Sequence, residues 1–147
     1  MKLLKLYQWI AGKMTDFLSQ FQNNDSFYQQ ARTFWNKLDG ISMILLIIFI
    51  VLGILFAFFY YKPYNNIPGR HYTPKHWILF LCVTCIVTFL LTFVFEYIAV
   101  APKLKGALML EMEIALCNGI YASVLYFLVS VLWCNAFPTN AYRLFKF

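Results

Sequence analysis

Polar side chains at every fourth position are the first feature of this sequence that could do chemistry. Thr84, Thr88 and Thr92 are followed at the same spacing by Glu96, within an otherwise apolar stretch. On a helix this spacing places the four side chains along one face, which we call the polar ladder. Two interpretations stay open. The hydroxyl groups bond to their own or a neighbouring helix, or they line a water-filled pore with an acidic group at its mouth.

A second set of charged residues follows the ladder and is expected near the same membrane face as Glu96. This acid/base cluster comprises Lys103, Lys105, Glu111 and Glu113. The favoured interpretation is a group of interfacial salt bridges between two helices, which contribute little when exposed. The alternative is a proton or cation site. It requires the next helix to begin early enough to draw Glu113 and Asn118 below the lipid headgroups.

Other reactive residues do not form a convincing site. Cys82 and Cys85 have the spacing of a metal or redox pair, but they fall in an apolar stretch without further ligands nearby, and four ligands are usual. His71 and His76 also lack an acid or a cysteine close by. The sequence contains no glycine-rich phosphate loop and no nucleophile with an adjacent base. We therefore expect no catalytic residue, cofactor or metal, and no enzyme activity.

The elements that must position these residues are apolar helices. Three stretches carry no charged residue: 41–61, 77–95 and 114–142. A helix needs roughly 20 apolar residues to cross the hydrocarbon layer. We therefore predict an all-α integral membrane protein with three transmembrane helices at about 41–61, 76–100 and 110–136, followed by a short aromatic and basic tail to residue 147.

Composition supports this class and excludes others. Hydrophobic residues make up 62% of the 147 residues and charged residues 12%, against about 25% charged in soluble domains. A chain of this length cannot enclose three wholly apolar helices in water. The net charge of +6 is assigned to residues that flank the spans and meet anionic lipid, so we expect a lipid bilayer and no nucleic acid as partner.

Residues 1–40 are predicted to form one or two amphipathic interfacial helices. Apolar residues recur at helical spacing in a first stripe: Leu3, Tyr7, Ile10, Met14, Phe17 and Phe21. This helix lies in the membrane interface or packs against a partner subunit. A second stripe from Phe27 to Leu38 follows the break at residues 23–26, and Gly40 separates it from the first span.

Two further sets of residues are predicted to make helix and interface contacts. Small side chains let helix backbones approach closely, and the spans carry five of them together with one hydrogen-bonding amide: Gly53, Ala57, Ala115, Gly119, Ser123 and Asn118. Aromatic and basic side chains near the ends of spans favour contact with lipid headgroups or a partner. These are Trp35, Arg70, Trp77 and Trp133.

These features predict a non-catalytic polytopic membrane subunit that assembles with itself, as a homo-oligomer, or with partner membrane subunits. It would serve as an anchor or platform of a secretion, injection or respiratory-type assembly. The alternative is a self-assembling ion-conducting pore or membrane effector whose second helix lines the lumen. A small excess of basic residues on the N-terminal side predicts a cytoplasmic N-terminus in an inner or cytoplasmic-type membrane.

Overall fold

The computed structural model describes most of the chain. The described residues are 3–67, 73–101, 104, 106–139 and 145. Their regular secondary structure is entirely helical. The α-helices are α1 (Gln8–Ala11), α2 (Met14–Ser19), α3 (Asp25–Tyr61), α4 (Pro74–Ala99) and α5 (Ala107–Ala136). Two 3-10 helices precede α1 and follow α3, at Leu3–Tyr7 and Tyr64–Asn66.

The three long helices α3, α4 and α5 are each long and apolar enough to cross a membrane. The predicted all-α fold with three long apolar helices is thereby confirmed, and it indicates a membrane protein. Helix α3 has 37 residues, which corresponds to about 55 Å at 1.5 Å per residue. This length exceeds the roughly 30 Å of the hydrocarbon layer, so α3 is longer than a perpendicular crossing needs.

The predicted interruption at Gly40 is wrong, because α3 runs through this residue without a break. Glycine within a helix costs only about 0.5–1 kcal/mol relative to alanine, and packing on both sides of it outweighs that cost. Phe34 and Leu38 before it, and Leu45 after it, are fully or almost fully buried. Asn24 caps the start of the helix, where its side chain accepts a hydrogen bond from the backbone N–H of Ser26 at 3.0 Å.

The N-terminal segment, residues 3–19, differs from the single amphipathic helix expected from its stripe. Gly12 adopts φ +71°, a conformation that residues with a Cβ rarely take, and it separates α1 from α2. The segment packs against the chain's own α3 and α5. Tyr7 and Phe17, both members of the stripe, are buried there. The apolar stripe is therefore covered at least in part by this chain itself.

Helix α5 lies at the centre of the bundle and packs against both α3 and α4. Buried side chains form one cluster at the N-terminal end of the bundle, around Phe34, Leu38 and Ile114, and another at the opposite end, around Tyr60 and Trp77. Between α3 and α4 an apolar groove of about 470 Å³ stays open. We call it the α3–α4 groove, and it is lined by Ile47, Ile48, Val51, Leu52, Leu91, Val94, Phe95 and Ile98.

Candidate functional site

Asn118 joins four parts of the chain through a single buried amide. Its Oδ1 accepts a hydrogen bond from the Tyr7 hydroxyl at 2.8 Å. Its Nδ2 donates to the Leu45 carbonyl at 3.0 Å and to the Thr92 Oγ1 at 3.1 Å. The side chain is fully buried. The N-terminal segment, α3, α4 and α5 therefore meet at one point, which we call the Asn118 junction.

Small neighbours on α5 allow this close approach. A Cβ added to Gly119 would lie 3.0 Å from the Cys85 carbonyl oxygen on α4. A Cβ added to Gly53 on α3 would lie 2.9 Å from the Ala122 carbonyl oxygen on α5. Such distances show that the helix backbones nearly touch. Because the backbones are so close, even the short side chain of Asn118 reaches both neighbouring helices.

Glu96 lies one helical turn beyond Thr92 and is fully buried. Neither of its carboxyl oxygens has a hydrogen-bond partner among the described residues. Glu111 of α5 is 2% exposed and close enough to Glu96 for the two carboxyl groups to interact electrostatically. Burial of a carboxylate without compensating partners is very costly, so this arrangement requires a physical explanation.

The rest of the polar ladder also faces inward. Thr84, Thr88 and Thr92 are fully buried, as is Glu96. The Thr84 hydroxyl donates to the Phe80 carbonyl at 2.7 Å within its own helix, whereas the Thr88 hydroxyl finds no partner among the described residues. A pore lining must contact water. The arrangement therefore favours the helix-packing interpretation of the ladder in this conformation.

The predicted acid/base cluster is only partly described. Lys103 and Lys105 lie outside the described residues, as does Arg70. Helix α5 begins at Ala107, which is the early start that a proton or cation site requires. Glu111 is buried within the bundle. Glu113 is half-buried and lines a cavity of about 260 Å³ together with Asp16 and Gln20.

The residues predicted to pack helices lie at contacts within this chain. Gly53, Ala57, Ala115 and Gly119 are buried, and the Ser123 hydroxyl donates to the Gly119 carbonyl at 2.8 Å. These small side chains were predicted to let helix backbones approach each other closely. In this structure they serve the packing of α5 against α3 and α4.

Two of the three tryptophans predicted to contact lipid or a partner are instead buried within the chain. Trp35 is 5% exposed in the cluster at the N-terminal end of the bundle. Trp77 is 8% exposed, and its indole N–H donates to the Ser130 hydroxyl at 3.0 Å. That bond turns the ring into the bundle. Trp133 is only partly buried and stacks on Tyr61, with ring centroids 5.8 Å apart.

The sequence did not single out Tyr7 as a site residue, although it is the one residue of its stripe with a hydroxyl group. Burial raises the pKa of its phenol above the usual range. The phenol therefore stays protonated and can donate to Asn118. Nearby, Tyr121 donates to the Leu6 carbonyl and accepts from the Trp9 indole N–H at 2.5 Å. These bonds hold the N-terminal segment beside the middle of α5.

The described residues include no group of three or more His, Cys, Asp or Glu side chains that could hold a metal ion. The Asn118 junction fixes four segments together. The buried carboxyl groups of Glu96 and Glu111 are chemically able to bind protons. Comparison with models of known families, with curated proteins and with solved structures gives no match to this chain.

Proposed function

We propose that this chain is a non-catalytic polytopic membrane subunit that assembles with itself or with partner chains, as an anchor or platform of a larger membrane complex. The observation that carries the proposal is the α3–α4 groove. Its volume of about 470 Å³ is lined on both helices by apolar side chains alone. The proposal keeps the N-terminus on the cytoplasmic side of an inner or cytoplasmic-type membrane, as the flanking basic residues favour.

The surface between α3 and α5 is covered by the chain itself, whereas the α3–α4 groove stays open. The N-terminal segment packs against α3 and α5, where Trp9 and Phe49 both contact the ring of Tyr121. The α3–α4 groove exposes Val51 and Val94 by about half of their surface. Because van der Waals packing drives helix association in lipid, another transmembrane helix is a suitable occupant of this groove.

A tryptophan placed in the groove tests the proposal. Val94 lies in the α3–α4 groove and is 50% exposed, whereas Val124 lies on α5, outside this groove, and is 51% exposed. We expect Val94→Trp to fill the groove and to reduce the mass of the detergent-extracted particle. Val124→Trp adds the same ring at the same exposure and should leave the mass unchanged. Light scattering combined with identification of co-purifying chains measures both.

Two results would contradict the proposal. One is a wild-type protein that elutes as a stable monomer in mild detergent with no co-purifying chain. The other is an equal loss of mass in both tryptophan variants, since that would show a general effect of bulk on the bundle rather than occupancy of the α3–α4 groove.

A further inference from the structure

We infer that Glu96 is a proton-binding site, buried in the bundle as the neutral acid and covered by the N-terminal segment. The inference concerns a group that the proposed assembly does not use. It stands on the burial of the side chain, on its unbonded oxygens and on the groups that surround it.

The local geometry leaves the carboxyl group of Glu96 without compensation for a charge. The side chain is fully buried, and neither oxygen is within hydrogen-bond distance of a donor in the described part of the chain. Its nearest polar neighbour along α4 is Thr92, whose hydroxyl already accepts a bond from Asn118. A neutral carboxylic acid is far less costly to bury than a carboxylate in such a place. The bound proton is therefore part of the folded structure.

Among the described residues, the titratable groups that interact most strongly with Glu96 carry no positive charge. Glu111 and Cys117 on α5 and Tyr7 on the N-terminal segment lie close enough to Glu96 to interact with it electrostatically. Two carboxyl groups at close range oppose simultaneous ionisation. On α3 the charged residues nearest to the apolar stretch are Lys37 and Asp39. Lys37 is exposed, and its ammonium group donates to the Ala101 carbonyl.

The position of Glu96 along α4 determines how close its carboxyl group lies to water. Glu96 follows Trp77 by 19 residues, or about 28 Å along a helix, which is close to the thickness of the hydrocarbon layer of about 30 Å. The charge-free stretch of α4 runs from residue 77 to residue 95, so Glu96 lies at its far end, where water is close. Tyr7, Val100 and Leu104 are all buried at this end of the bundle. Exchange of the proton with water therefore requires this cover to move.

A lipid-soluble carbodiimide is the direct probe, because it reacts with protonated carboxyl groups in apolar surroundings. The acid transfers its proton to a carbodiimide nitrogen, the carboxylate adds to the central carbon, and rearrangement to an N-acylurea retains the whole reagent. The experiment uses dicyclohexylcarbodiimide and the full chain in phosphatidylcholine vesicles, with the label located by mass spectrometry of peptides. We expect labelling of Glu96 in the wild type and a decrease as the pH is raised.

Matched variants separate the site from its neighbours. Glu96→Gln should lose the label at residue 96, and Glu113→Gln, which removes the half-buried carboxyl group, should keep it. Because the label is mapped on the wild type, the result stands even if Glu96→Gln fails to fold. Absence of label at Glu96, or equal labelling at all pH values, would overturn the inference. Protection by sodium ions at constant pH would also overturn it in favour of a metal cation.

A second reagent tests whether the N-terminal segment controls access to Glu96. Tyr7 is 1% exposed and Trp9 is 61% exposed on the same segment. We expect Tyr7→Ala to admit a water-soluble carbodiimide to Glu96, and Trp9→Ala to leave Glu96 protected as in the wild type. If wild type and Tyr7→Ala react at the same rate with the water-soluble reagent, the N-terminal segment does not control access, and that part of the inference is wrong.

Discussion

At the scale of single residues, Asn118 shows how a bilayer turns one polar side chain into a structural determinant. Its amide has no water to bond to in the bundle interior, so it takes the Tyr7 hydroxyl, the Leu45 carbonyl and the Thr92 hydroxyl as partners. Leaving any buried polar group unpaired costs about 1–3 kcal/mol. The requirement for partners from different segments restricts how those segments can be arranged.

Tyr7→Phe tests this junction, because it removes one hydroxyl group and keeps the ring. It leaves the Oδ1 of Asn118 without its donor, and we expect the free energy of unfolding to fall by about 1 kcal/mol. Titration with SDS in mixed micelles measures the change. Tyr28→Phe is the matched control, since Tyr28 is only half-buried and its hydroxyl makes no hydrogen bond to another described residue. Equal losses in the two variants would argue against a special role for the Tyr7–Asn118 bond.

At the scale of elements, the bundle depends on helix backbones that approach more closely than side chains would permit. Gly53 brings α3 against α5, and Gly119 brings α5 against α4. In lipid, where water does not drive helices together, such contacts supply much of the packing energy. Gly12 serves a different purpose, because its positive φ turns the chain between α1 and α2.

Alanine at these glycines tests the close contacts. Gly53→Ala places a Cβ 2.9 Å from the Ala122 carbonyl oxygen and 3.1 Å from the Leu125 Cβ, so we expect a loss of about 1–3 kcal/mol in unfolding free energy. Gly119→Ala meets the Cys85 carbonyl oxygen at 3.0 Å and should also destabilise the bundle.

Gly40→Ala is the control for both glycine variants, because a Cβ there meets nothing within 4 Å. It should increase stability by about 0.5–1 kcal/mol, as alanine favours the helix. SDS titration of the three variants side by side gives the comparison. If Gly40→Ala destabilised the protein as much as Gly53→Ala, crowding between helices would not be the cause.

At the scale of the whole molecule, most polar side chains in the charge-free stretches of the long helices are turned inward, and many apolar side chains there are turned outward. The polar ladder is fully buried, whereas Ile86, Leu90 and Leu132 are at least half exposed. This is the reverse of a soluble protein, and it fits lipid as the surrounding solvent. It also explains why the carboxyl group of Glu96 can be retained among apolar helices, since the bundle itself separates it from lipid.

Extraction and thiol labelling test whether the exposed apolar surface of the bundle faces lipid. We expect the chain to stay in the membrane pellet after washing with alkaline carbonate. Cys82 is exposed on the surface of α4, but in a bilayer it should not react with a charged, water-soluble maleimide until SDS is added, because the thiolate is required and does not form in lipid. Release of folded protein by carbonate, or labelling of Cys82 in intact vesicles, would contradict a membrane-spanning α4.

The amino-acid sequence by itself determined the class of the protein. The charge-free stretches predict three long apolar helices because length and composition are local properties, and the spacing of Thr84, Thr88, Thr92 and Glu96 predicts one helical face for the same reason. The tertiary structure alone decided which face of each helix meets which neighbour. Tyr7 and Asn118 are separated by 111 residues, and no local period relates them.

Contacts of that kind explain the differences between expectation and structure. The stripe containing Tyr7 suited a membrane surface or a partner equally well, and only the position of α5 shows that this chain covers it. Trp77 had the position of an interfacial residue, yet Ser130 lies where its indole can bond within the bundle. The sequence grouped Glu111 with two lysines, and the packing of α5 against α4 shows in addition that its carboxyl group interacts electrostatically with Glu96. A helical period fixes which side chains share a face, whereas the partner of that face depends on the packing of the whole chain.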